Sequence, residues 1–163
     1  MNIEMNSMIE KLRKKISRLA DSGKPRAIAV FVDGPNILRK ELGISLEEIT
    51  ETIKKFGTIK IGKVFLNQYA SQKLVEAVVN QGFEPIVTIG DVDVSMAVDA
   101  TEAVFNPLVD TIALVTRDSD FLPPVIKAKT YGKTTIVVLS EEASGVALKN
   151  TADHVVVMKK KNI

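Results

Sequence analysis

Two stretches of this chain are apolar without a break and run straight into acid. AIAVFV (27–32) is followed by Asp33, and TIALVT (111–116) by Arg117, Asp118, Ser119 and Asp120. A strand with one wet face alternates apolar and polar residues, whereas a strand covered on both faces does not. Strands of the second kind belong to parallel sheets that carry helices on either side. These two runs therefore limit the chain to a layered α/β architecture, with both runs central and adjacent.

The intervening sequence supplies the helices and further strands. SLEEITETIKKF (45–56) opens with Ser45 and Glu48 in capping-box spacing. SQKLVEAVVNQG (71–82), VSMAVDATEAVF (94–105), FLPPVIKAKTYG (121–132) and SGVALKNTA (144–152) also read as helices. The two prolines of 121–132 fall in the first turn, where the missing N–H matters little. Strands are expected at 58–67, 83–89, 134–140 and 154–158, with Pro85 pointing to an edge or strand-start position. The expected fold is a three-layer α/β/α sandwich around a mostly parallel sheet of five to six strands.

An N-terminal helix precedes it. Over residues 5–22, Ile9, Leu12, Ile16 and Leu19 recur at spacings of 3, 4 and 3, flanked by basic residues and stopped by Gly23 and Pro25. The division is a helix at 1–25 and one domain at 26–160, and 163 residues suit a single domain. The apolar stripe is expected to dock on the domain or on a second copy of the chain, as a homodimer through this helix.

Several function classes fall away. With no cysteine there is no disulfide, thiolate metal site or cysteine nucleophile. No apolar run reaches a membrane span and no signal-peptide pattern opens the chain, so a cytoplasmic protein without a membrane partner is expected. The single histidine, His154, starts a terminal strand and reads as a packing or edge residue, which leaves no Ser-His-Asp arrangement. Neither G-x-G-x-x-G nor a Walker A sequence is present. Net charge is +2, from 22 basic and 20 acidic residues, so distribution matters more than balance.

The acids are placed where chemistry is expected. In an open parallel sheet, sites lie beyond the carboxyl ends of the strands at the topological switch point. Asp33, Asp118 and Asp120 stand at two such ends, and bringing them together uncompensated costs on the order of several kcal/mol. A hard divalent cation, Mg²⁺ or Mn²⁺, would offset that cost. Taken singly, Asp33 is also a good turn residue and Asp120 a helix-cap candidate; the coincidence of two buried strand ends favours a shared site.

GDVDVSMAVDA (90–100) adds Asp93 near a helix start and Asp99 six residues on, about 120° further round a helix. Asp99 is a weaker metal candidate than Asp93 and nearly as good a candidate for an ion pair; Asp91 reads as a solvated loop charge. Asn36 could orient a ligand or cap a helix. Ser119, Arg117, Arg39 and Lys40 are candidates to meet substrate phosphates, with Lys127 as a further cation. Phe31, Phe65 and Phe105 read as core, which leaves no aromatic ladder for base stacking.

VFVDGPNI, GDVDVSMAVDA and VTRDSDFLPPV, in that order, resemble the NYN domain, a branch of the PIN-like metal-dependent ribonucleases, in its LabA-like form. The resemblance spans about residues 27 to 158. It implies a PIN-like sandwich, RNA as partner, Mg²⁺ or Mn²⁺ as cofactor, and catalytic roles for Asp33, Asn36, Asp93, Asp118 and Asp120. The metal would fall to Asp33, Asp93, Asp118, Asp120 and, less directly, Asp99. Many relatives carry a lysine just before the VDV segment, where this chain has Gly90-Asp91. An RNA-binding module without cleavage is the alternative on the same fold. The acidic pair also fits a Toprim nuclease, but that family ends its first strand in Glu rather than Asp33. Haloacid-type phosphatases need an Asp where Pro35 stands.

Overall fold

Both unbroken apolar runs form strands, and they lie side by side. The computed structural model describes residues 2–21, 23–141 and 145–160. Six parallel strands form one sheet: β1 (Ala27–Asp33), β2 (Thr58–Asn67), β3 (Glu84–Thr88), β4 (Thr111–Val115), β5 (Thr134–Ser140) and β6 (His154–Met158). Their order is β3-β2-β1-β4-β5-β6. β1 pairs with β4 from Ile28 opposite Thr111 to Val32 opposite Val115. The chain works outward from β1 in one direction and then returns to its other side, so the switch point lies between β1 and β4.

Side-chain alternation along β1 divides the core in two. Ile28, Val30 and Val32 pack with Ile37, Ile49, Ile53 and Val78. These come from α2 (Gly34–Ile37), α3 (Leu46–Lys54) and α4 (Gln72–Asn80). Ala29 and Phe31 face the opposite layer, with Met96, Ala100, Val125, Ala128 and Leu148. That layer holds α5 (Val92–Val104), α6 (Leu122–Thr130) and α7 (Val146–Thr151). Strand parity then sends Asp33 to the α5 side, as it does Thr116 after Ile112 and Leu114 on β4.

Local signals act as expected at most boundaries. Ser45 and Glu48 form a reciprocal capping box at α3, and Ser71 caps α4. Pro123 and Pro124 sit in the first turn of α6. β3, with Pro85, is an edge strand. Short α2 and the 3-10 turns at Lys40–Leu42 and Ser119–Phe121 were not legible from periodicity, because one turn is too brief to show a period.

Gly34 explains part of the DGPN sequence. A Cβ there would stand 2.5 Å from the Phe65 carbonyl oxygen and 2.7 Å from Leu66 Cδ2. The chain turns off β1 hard against β2, and only glycine leaves that space.

The N-terminal helix α1 (Asn2–Asp21) forms, but its stripe stays wet. Met5, Met8, Ile9, Leu12 and Ile16 are each 40% exposed or more. Leu19 lies outside the residues whose side chains are described. Phe105, expected in the core, is instead more than half exposed and stacks edge-on against Tyr131 at 4.8 Å. It ends α5 on that helix's outer face. His154 is exposed on edge strand β6, with its ring 5.1 Å from that of Phe56. Among the described residues no helix is long and apolar enough to cross a membrane.

Candidate acidic site

Asp33 is fully buried at the end of β1. Its Oδ2 accepts from Asn36 Nδ2 at 2.7 Å and from Thr116 Oγ1 at 3.3 Å. Its Oδ1 is buried and has no hydrogen-bond partner. Burial raises the Asp33 pKa above the ordinary carboxylate value, the bonds from Asn36 and Thr116 oppose that rise, and the negative charge of Asp118 adds to it. An ionisable carboxylate with one satisfied and one orphaned oxygen, inside a protein, is an arrangement that needs a partner.

Thr116 ties the two central strand ends together. Its hydroxyl donates to Asp33 and accepts from the backbone N–H of Asp118 at 3.1 Å. Asp118 then caps the 3-10 turn that follows, accepting from the Asp120 N–H at 2.9 Å. The sequence signal for Thr116 was available: a hydroxyl at the end of an apolar strand, on the side of Ile112 and Leu114, where a methyl would otherwise be expected.

Asp93 joins from α5. Its pKa is pushed up to about 6, first by burial, then by the charges of Asp33, Asp118 and Asp91, and by a hydrogen bond with Asp118. Three carboxylates from three separate elements thus feel one another at the switch point. Asp91, read from the sequence as a loop charge, is the N-cap of α5 and accepts from the Asp93 N–H at 3.0 Å. Capping by Asp91 places Asp93 in the first turn, pointed toward the strand ends.

Other candidates are placed differently. Asp99 is bound by Lys63, Nζ to Oδ2 at 2.7 Å, and this carboxylate holds the Lys63 ammonium above its ordinary range. The structure therefore gives Asp99 the ion-pair role and not a place among the three converging acids. Ser119 and Asp120 are exposed at the rim, Arg117 is half-buried, and Arg39 and Lys40 are exposed beyond α2. Lys127 lies over the Tyr131 ring at 5.6 Å, toward the end of α6 remote from Asp118.

The donor set fits a hard cation in kind: oxygens only, one of them buried and unpartnered. Among the described residues, however, no three acidic or histidine side chains are already gathered as a metal cage. That pattern suits an ion of the Mg²⁺ type, which retains several waters and takes one or two protein carboxylates. Two hollows lie elsewhere. One of about 480 Å³ runs between the start of α3 and α4, and one of about 760 Å³ lies at the opposite end of the sheet near Lys24, Tyr131 and Lys133. The acids line neither.

The sequence pattern of the NYN domain matches residues 27–159. An uncharacterized protein of Methanocaldococcus jannaschii is 55% identical over 153 residues, which is 91% of this chain and 64% of that protein. The chain thus spans somewhat under two thirds of the curated relative it matches. The crystal structure of a protein of unknown function from Vibrio parahaemolyticus superposes with a TM-score of 0.74 at 22% identity, covering 83% of this chain and 94% of that one. That likeness shows the fold.

Proposed function

The chain belongs to the NYN domain family, a nuclease-like group with the PIN fold, and from that premise we propose that it is a metal-dependent endoribonuclease acting at the Asp33–Asp93–Asp118 cluster. The observation that carries this reading is the mutual influence of three carboxylates at one switch point, with Asp93 pushed up to about 6 and Asp33 Oδ1 buried without a partner. A fold does not stabilise itself by gathering like charges. Such gathering is a mark of a functional site.

Each residue has a role that follows from its bonds. Asn36 and Thr116 fix Asp33 through Oδ2 and leave Oδ1 without a hydrogen-bond partner. Of Asp33, Asp93, Asp118 and Asp120, one or two would bind Mg²⁺ or Mn²⁺ directly and the others through its retained waters. When bound, such an ion supplies Lewis acidity toward the phosphoryl oxygens and makes a water nucleophilic near neutral pH. Arg117, Ser119, Arg39 and Lys40 would meet the phosphates, an attraction that weakens with salt. No histidine stands among these residues, so the carboxylates are the available proton acceptors.

The test is manganese-dependent cleavage of an end-labelled RNA by the wild type, Asp33→Asn and Asp118→Asn, with folding followed by circular dichroism. Loss of cleavage in both folded variants is expected; full activity in both would remove the mechanism. A second reading has its own support, since no preassembled three-acid cage is present among the described residues. On that reading the chain binds RNA without cutting it. Salt-sensitive RNA retention, with no cleavage at any Mg²⁺ or Mn²⁺ concentration, would establish the second reading over the first.

A further inference from the structure

We propose that α1 pairs with α1 of a second copy as a parallel, in-register, two-stranded coiled coil. The helix is 20 residues long, about 30 Å, and exposes one continuous apolar stripe. The stripe has heptad spacing. Ile9 and Ile16 occupy the a positions, and Met5 and Leu12 the d positions, with Leu19 next in sequence. β-branched residues at a with leucine at d favour two parallel strands over three or four.

The flanking charges are compatible with that orientation. In a parallel pair, Met8 neighbours the partner copy's position 13, an arginine, and Lys15 its position 20, an alanine. Neither contact sets like charges together.

The rival cover for the stripe is the body of the same chain. Helix α5 exposes Val94, Val98 and Phe105 along one line. That line is interrupted by Thr101, and Phe105 is already stacked on Tyr131. It offers no match to the Ile–Leu alternation of α1, which is self-complementary. Pairing also leaves the acidic site open. Helix α1 leads into β1 at Ala27, while Asp33 ends that strand, about 20 Å away along it.

Sedimentation velocity on the full chain over a concentration series tests the pairing. Two heptads give a weak coil, so a dimer that dissociates on dilution is expected. The double variant Ile9→Lys/Ile16→Lys should be monomeric at every concentration with an unchanged melting temperature for the body. Because the chain has no cysteine, Met5→Cys reports orientation alone: oxidation should cross-link two copies, since equal positions meet only in the parallel register. A wild type that stays monomeric throughout, with α1 folded against its own α5, would overturn the proposal. So would a dimer that survives the double variant, or one in which Met5→Cys fails to cross-link.

Discussion

Replacing Asp93 by Asn should stabilise the protein at neutral pH in the absence of divalent cations. Asp93 has a folded pKa of about 6 against an ordinary 3.8. A carboxyl group whose pKa is raised by folding contributes stability below its unfolded value and loses it as pH climbs through the folded value. The wild type should therefore lose stability between about pH 4 and pH 6 and hold a lower plateau above. At about 1.4 kcal/mol per pH unit, the ceiling is about 3 kcal/mol. Asp93 is partly exposed, so solvent screening brings the expected effect to about 1–2 kcal/mol. For a domain of this size, that is a rise of about 3–6 °C in Tm for the variant at pH 7.5. At pH 4 the wild-type carboxyl is protonated and the two proteins should melt together. Thermal unfolding in EDTA at five pH values from 4 to 8 measures the gap directly. A gap of equal size at pH 4 and 7.5, or a less stable variant at neutral pH, would refute the claim that burial and the charges of Asp33 and Asp118 raise the Asp93 carboxyl.

Gly34→Ala should destabilise the fold by about 1–3 kcal/mol, because the new methyl meets the Phe65 carbonyl and the Leu66 side chain; an unchanged denaturant midpoint would show that the approach of α2 to β2 is looser than described. Thr116→Val keeps the volume but leaves Asp33 and the Asp118 N–H each short of a partner, for an expected loss of about 1–3 kcal/mol by urea melt. Asp99→Asn should leave manganese affinity by titration calorimetry unchanged, while Asp118→Asn lowers it; equal loss in both would return Asp99 to the metal site. Mg²⁺ or Mn²⁺ should raise Tm through binding linkage more in wild type than in Asp33→Asn, and equal rises would place the ion elsewhere.

The sequence disclosed most of the architecture because burial on two faces leaves a direct trace. AIAVFV and TIALVT have no alternation, and they are the two strands that pair at the centre. The sheet proved to be six-stranded and parallel throughout, where five to six mostly parallel strands were expected. Parity along β1 and β4, once the strands are known, places Asp33 and Thr116 on one side. What remained hidden depends on three-dimensional neighbours rather than on period. The Asp99–Lys63 pair joins residues on different elements 36 positions apart, and no local pattern distinguishes it from a site carboxylate. The capping role of Asp91 turns on one residue of helix boundary. Phe105 was assigned to the core by its chemistry, yet α5 carries apolar residues on both faces, so its periodicity could not say which face was wet.

The bond between Thr116 and Asp33 joins residues 83 positions apart. While the polypeptide is being synthesised, β1, β2 and β3 can associate well before β4 leaves the ribosome, since chains fold N-terminal end first. During that interval Asp33 has neither the threonine hydroxyl that steadies it nor Asp118, the third acid of the cluster. Any chemistry at this place is therefore withheld until residue 118 has emerged and docked.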